Sequence, residues 1–202
     1  MPSLLDMDRE VFIYINSKLS THLFDVMMPV ATDLHKHYQF WLVIVFGILF
    51  SIFRPVRDDD VAPNLVRRRR AKTWATGVLI LGLSMGLADL VAYRAVKVWV
   101  QRDRPEAAGV PVILRTNSHS GWSFPSNHAA NNFAMARTVQ ILAPAWAIPA
   151  YIFAAIVAFS RVYVGVHYPL DVIAGGLIGL LCATLVGLIV ECVRDRIARR
   201  AK

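Results

Sequence analysis

The chain has 202 residues, of which 56% are hydrophobic, with a mean hydropathy of +0.47 and a formal charge of +8 from 22 Lys and Arg against 14 Asp and Glu. That length suits one domain, and the apolar content exceeds what a soluble globular protein of this size usually carries. The basic residues gather beside apolar runs and do not line one polar face, which speaks for membrane topology and against nucleic acid as a partner.

The first 37 residues are expected to form an interfacial segment. The stretch LLDMDREVFIYI makes an amphipathic helix, and His22 to Leu34 a short second one interrupted by Asp25 and Asp33. A sixth full span is the alternative reading of this region. The opening residues lack a basic stretch followed by a long apolar one, so no cleavable signal peptide is expected. Residues 38 to 53 and 74 to 96 are the first two predicted spans. Residues 128 to 163 are too long for one and are read as a pair, with Pro144 and Pro149 bracketing the turn because proline breaks helix interiors. Val172 to Val190 is a 19-residue run whose only clearly polar member is Thr184, which meets the length of about 20 residues that a spanning helix needs.

Basic residues orient these spans. Arg54, Arg57, Arg67, Arg68, Arg69, Arg70 and Lys72 fill one linker, and Arg194, Arg196, Arg199, Arg200 and Lys202 fill the tail. The positive-inside rule assigns both to the cytoplasm, so residues 98 to 127 and 164 to 170 fall on the outer face. The predicted fold is therefore an all-α polytopic membrane bundle of five to six transmembrane helices with an interfacial N-terminal helix. It forms a single domain over residues 1–202, with 38–192 as the helical core and 193–202 as a basic cytoplasmic tail. Cys182 and Cys192 lie too far apart along one helix to bridge each other.

Three polar clusters border the apolar runs on the same face. Lys97 and Arg104 are seven residues apart, which on a continuous helix places both cations on one side; an ammonium and a guanidinium fork together suit a phosphate dianion. Snorkelling toward lipid headgroups would explain them as well. Ser126, after Pro125, is expected to cap a helix whose first amides, at Asn127 and His128, form an anion site. Arg161 closes a span, and His167 precedes a helix that Pro169 can begin. Asp171, four residues after His167, can accept a proton from one imidazole nitrogen and present the other as a nucleophile.

No metal site is expected, since His35, His37 and His119 have no carboxylate or cysteine at ligand spacing. Asp89, inside an apolar span, is expected to pair with a cation or hydroxyl, with Lys97 and Arg94 the nearest cations.

The order Lys97, six residues, Arg104-Pro105, then Pro125-Ser126-Asn127-His128, then Ser160-Arg161, five residues, His167, three residues, Asp171 resembles the type 2 phosphatidic acid phosphatase family. That family usually has glycine where this chain has Asn127, which narrows the room beside the phosphate. The resemblance implies a metal-independent lipid phosphatase without cofactor. His167 would attack phosphorus, Asp171 would orient it, and His128 would protonate the leaving oxygen. Lys97, Arg104, Ser126, Asn127 and Arg161 would hold the phosphate. It further implies a bacterial inner-membrane enzyme with an outward-facing site and a lipid phosphate or pyrophosphate partner, undecaprenyl pyrophosphate first. Phosphatidylglycerol phosphate, phosphatidic acid and lipid A 1-phosphate are the other substrates, phosphotransfer to a lipid is the variant chemistry, and a lipid transporter is the reading from another class.

Overall fold

A computed structural model describes residues 2–34, 38–53, 62–117 and 120–200 of the chain. His35, His37 and His119, at which no metal site is expected, lie outside the described residues, as do residues 54–61 of the basic linker. Helix α1 runs Leu4–Ile13 and continues as a π-helical turn, Tyr14–Lys18; α2 is His22–Asp33 and α3 is Tyr38–Phe53. Helix α4, Pro63–Leu90, passes through a π-helical turn, Val91–Val96, into α5, Lys97–Val100. Helix α6 is Asn127–Leu142, α7 is Ala147–Tyr163 after a 3-10 turn at Pro144–Trp146, and α8 is Pro169–Arg200.

Local chemistry sets most of these boundaries. Ser3 forms a reciprocal capping box with Asp6 at the start of α1, and the Thr21 hydroxyl accepts from the Phe24 amide to start α2. Pro63 and Pro169 occupy first-turn positions of α4 and α8, where a missing N–H costs nothing. Pro144 makes the turn between α6 and α7 as expected, but Pro149 lies inside the first turn of α7 and does not bound the turn. Helix α8 runs on through Arg200 and so carries the arginines of the basic tail.

Among the described residues, Pro63–Val100, Pro144–Tyr163 and Pro169–Arg200 are long and apolar enough to cross a membrane. Their exposed surface is that of a protein bathed in lipid. On α8 the exposed side chains include Ile173, Leu177, Leu181, Leu185 and Leu188, while Gly175, Gly179, Ala183 and Gly187 face inward. Large residues outside and small ones inside fit lipid as solvent, where close backbone approach holds helices together. A Cβ at Gly175 or Gly179 would land on the carbonyl oxygens of Ser126 and Ala130, so only glycine lets α8 come this close to α6. Helix α6 is central, packed by α4, α7 and α8, and α2 packs along α7. The molecule is an all-α membrane bundle with its polar core at one end.

Candidate active site

The site forms where the chain leaves α5, enters α6 and turns from α7 into α8. Helix α5 stops at Gln101, whose left-handed backbone (φ 50°) turns the chain away. Lys97 is therefore helical and Arg104 lies in the following loop, contrary to the expectation of one continuous helix face. Chain reversal brings the two cations near enough for their charges to act on each other. The Ser123 amide and hydroxyl both donate to the Arg102 carbonyl, at 2.7 and 3.1 Å, and fasten the far end of the loop beside its start.

Ser126 caps α6 as predicted, its hydroxyl accepting weakly from the Ala129 amide at 3.4 Å. Its own amide donates to the Asp171 carbonyl at 2.9 Å, which locks the start of α6 against the start of α8. Asn127 and half-buried His128 open α6 at this junction. Asn127 donates its side-chain amide to Asp89 at 2.7 Å, so the partner of Asp89 is neither Lys97 nor Arg94.

His167 stands in the short connection before α8 and is 2% exposed. Its Nδ1 lies 3.4 Å from Asp171 Oδ2, and its Nε2 lies 3.4 Å from Arg104 Nη1. Both are longer than the usual range of about 2.7–3.2 Å, yet they define roles. A guanidinium has only protons to offer, so Nε2 carries the lone pair and Nδ1–H faces Asp171. Burial, followed by the charges of Arg161, Arg104 and Lys97, holds the His167 imidazole well below its ordinary pKa of 6.5 and therefore neutral.

Three cations act on this ring, Arg104 within reach of it and Arg161 and Lys97 through their charges. Arg104 donates Nη1 to the Val166 carbonyl at 2.8 Å and Nε to the Gly121 carbonyl at 3.0 Å. Arg161, 1% exposed, donates Nη1 to Thr32 of α2 at 2.7 Å, while its buried Nε has no partner. Lys97 is also buried. Among the described residues none of the three forms a salt bridge with a carboxylate. Three buried cations beside one imidazole, with no carboxylate salt bridge among the described residues, are costly unless an anion compensates them. A cavity of about 590 Å³, lined by Asp103, Glu106, Ser120 and Trp122, opens onto Arg104 from the loop side.

Sequence reasoning missed Asp8, Thr32 and Arg102. Arg102 donates to Asp171 Oδ1 at 2.8 Å and to Asp8 Oδ2 at 2.7 Å, with its guanidinium 3.8 Å above the Tyr168 ring. Asp8 and Thr32 lie in the two stretches read only as interfacial helices, and nothing in either stretch marks them out. Arg102 sits two residues before Arg104 in QRDRP, a repeated spacing that could have drawn attention to it.

A polytopic helical bundle that buries a histidine beside three cations, none of them in a carboxylate salt bridge among the described residues, defines a membrane protein with a concentrated positive charge at one end. Residues 77–195 match the PAP2 superfamily, and the chain belongs to that family. It is 35% identical over 116 residues to the undecaprenyl-diphosphatase of Sulfolobus acidocaldarius, covering 57% of this chain and 54% of that protein, so the match spans about half of that relative's length. It is 31% identical over 190 residues to the lipid A 4'-phosphatase of Bacteroides thetaiotaomicron, covering 87% of this chain and 73% of that protein. The crystal structure of a transmembrane PAP2-type phosphatidylglycerolphosphate phosphatase from Bacillus subtilis has the same fold, with a TM-score of 0.60 at 23% identity over 96% of this chain and 89% of that one.

Proposed function

We propose that this chain is a metal-independent lipid phosphatase of the bacterial inner membrane, working through a phosphohistidine at an outward-facing site. The carrying observation is the group of Lys97, Arg104 and Arg161, buried and, among the described residues, without a carboxylate salt bridge, around the neutral imidazole of His167. In this reading the three cations, the cap at Ser126 and the first amides of α6, at Asn127 and His128, bind the phosphoryl oxygens. Nε2 of His167 attacks phosphorus in line, and the bond to the leaving oxygen breaks as His128 gives that oxygen a proton. Asp171 holds Nδ1–H and offsets the positive charge that the ring acquires. Water then attacks the phosphoryl group, its proton passes to His128, and the P–N bond breaks to release orthophosphate and His167.

The basic linker and the tail carried by α8 support a cytoplasmic C-terminus by the positive-inside rule, with five spans, or six if the N-terminal region adds one. Undecaprenyl pyrophosphate is the first substrate choice, with monoester lipid phosphates the alternative; the two relatives named above act on one kind each. Phosphate release by detergent-purified protein, in chelator, across undecaprenyl pyrophosphate, phosphatidylglycerol phosphate, phosphatidic acid and lipid A 1-phosphate tests this. Release that persists in chelator and disappears in His167→Ala is expected. No release from any of the four, or release only with added metal, would overturn the proposal.

A further inference from the structure

Asp8 belongs to α1, the helix farthest in sequence from the third motif, yet its side chain is 1% exposed and reaches the catalytic junction. One carboxylate oxygen accepts from Arg102 Nη2 at 2.7 Å, and the other accepts from the Leu170 amide, in the first turn of α8, at 2.9 Å. The other arm of Arg102 donates to Asp171 Oδ1 at 2.8 Å. Asp171 Oδ2 accepts from the Tyr168 amide at 2.9 Å and faces His167 Nδ1. The polar chain is continuous from Asp8 through Arg102 and Asp171 to His167.

Attachment of α1 does not require this chain. Phe12, fully buried, already packs edge-on against Tyr168 with ring centroids 5.3 Å apart. A buried carboxylate is an expensive way to add to that contact. Its specific effect is on Asp171. With Asp8 present, Arg102 is divided between two carboxylates; without Asp8, its full charge bears on Asp171 and competes with the imidazole for that negative charge.

We propose that Asp8, acting through Arg102, is a positioning residue for the reaction: it leaves Asp171 enough negative charge to hold Nδ1–H and to stabilise the cationic ring formed when His167 attacks phosphorus. The Leu170 contact adds a geometric part, because the same carboxylate fixes the backbone turn that carries Asp171. The inference rests on the phosphohistidine reading given above. Asp8 touches no reacting atom, so its loss slows phosphoenzyme formation and leaves lipid binding intact.

Steady-state kinetics of the full chain in detergent, with undecaprenyl pyrophosphate and phosphatidic acid as probes, provide the test. Asp8→Asn keeps an acceptor for the Leu170 amide and removes only the charge. It is expected to lower kcat about 10- to 100-fold with KM changed less than about threefold, and Asp8→Glu to recover most of the loss. The double variant Asp8→Asn/Arg102→Ala is expected to be no slower than Arg102→Ala alone, since the two residues act in series. Should Asp8→Asn fail to accumulate, Arg102→Lys carries the same test, because one ammonium cannot bridge both carboxylates in this geometry. Wild-type kcat in Asp8→Asn, or a double variant clearly slower than Arg102→Ala alone, overturns the inference while the function stands. Equal activity in wild type and His167→Ala would overturn the phosphohistidine reading itself.

Discussion

Replacing Arg104 by lysine keeps a charge and removes a fork. The guanidinium spans the Gly121 and Val166 carbonyls while one arm approaches His167, and a single ammonium cannot make all three contacts. Arg104→Lys is expected to reduce kcat/KM by about 100-fold or more, consistent with loss of a charge-assisted contact worth about 1.5–3 kcal/mol together with the loop bracing. A variant within a few-fold of wild type would reduce Arg104 to a headgroup contact. His167 makes a second prediction, in stability. Above about pH 6.5 the ring is neutral in both folded and unfolded chains. Below that value the unfolded chain takes up a proton that the folded site resists, because burial and the charges of Arg161, Arg104 and Lys97 oppose it. Folding stability should therefore fall with pH below about 6.5, by up to about 1.4 kcal/mol per unit, until the folded site itself protonates. Thermal melts of wild type and His167→Asn from pH 7.5 to 5 should diverge on the acid side; parallel curves would contradict the buried neutral ring.

Helix α8 reaches the site because small residues let it. Gly179 faces the Ala130 carbonyl and the Ala134 amide of α6, and any larger side chain must push the helices apart. Gly179→Leu is expected to cost at least about 1–3 kcal/mol of overpacking and to lower phosphatase activity, because Ser126 and Asp171 share a hydrogen bond across the same interface. Undiminished thermal stability in this variant would argue that the helices are not locked. At this scale the sequence was legible where one element carried its own signal. The Ser126 cap, the proline at the start of α8 and the i, i+4 placement of His167 and Asp171 all follow from local rules. Arg104 was misplaced because helical spacing was extended through Gln101, where the backbone turns left-handed without a glycine or proline to announce it. Asp8 and Thr32 were not legible, since their importance arises only when α1 and α2 fold against α7 and α8.

On the scale of the whole molecule, the fold is an arrangement for concentrating charge at one end of an apolar bundle. Lys97 comes from the α4–α5 helix, Arg104 from the loop, Arg161 from α7, and His167 and Asp171 from the turn into α8. The N-terminal region closes this end: Asn16 bonds the backbone of Ile113 and Tyr163, and Arg115 ties Asp25 to the same region. Residues of the three ordered motifs lie together at this end, and the pairings that stiffen it are not encoded in any one motif. Rapid acid- and base-quench of the purified protein with phosphorus-labelled undecaprenyl pyrophosphate or phosphatidic acid tests the central claim most directly. The account predicts a protein-bound phosphoryl group that is labile in acid, stable in base, maps to residue 167 and disappears in His167→Ala. Label on another side chain, or undiminished turnover in His167→Ala, would contradict it.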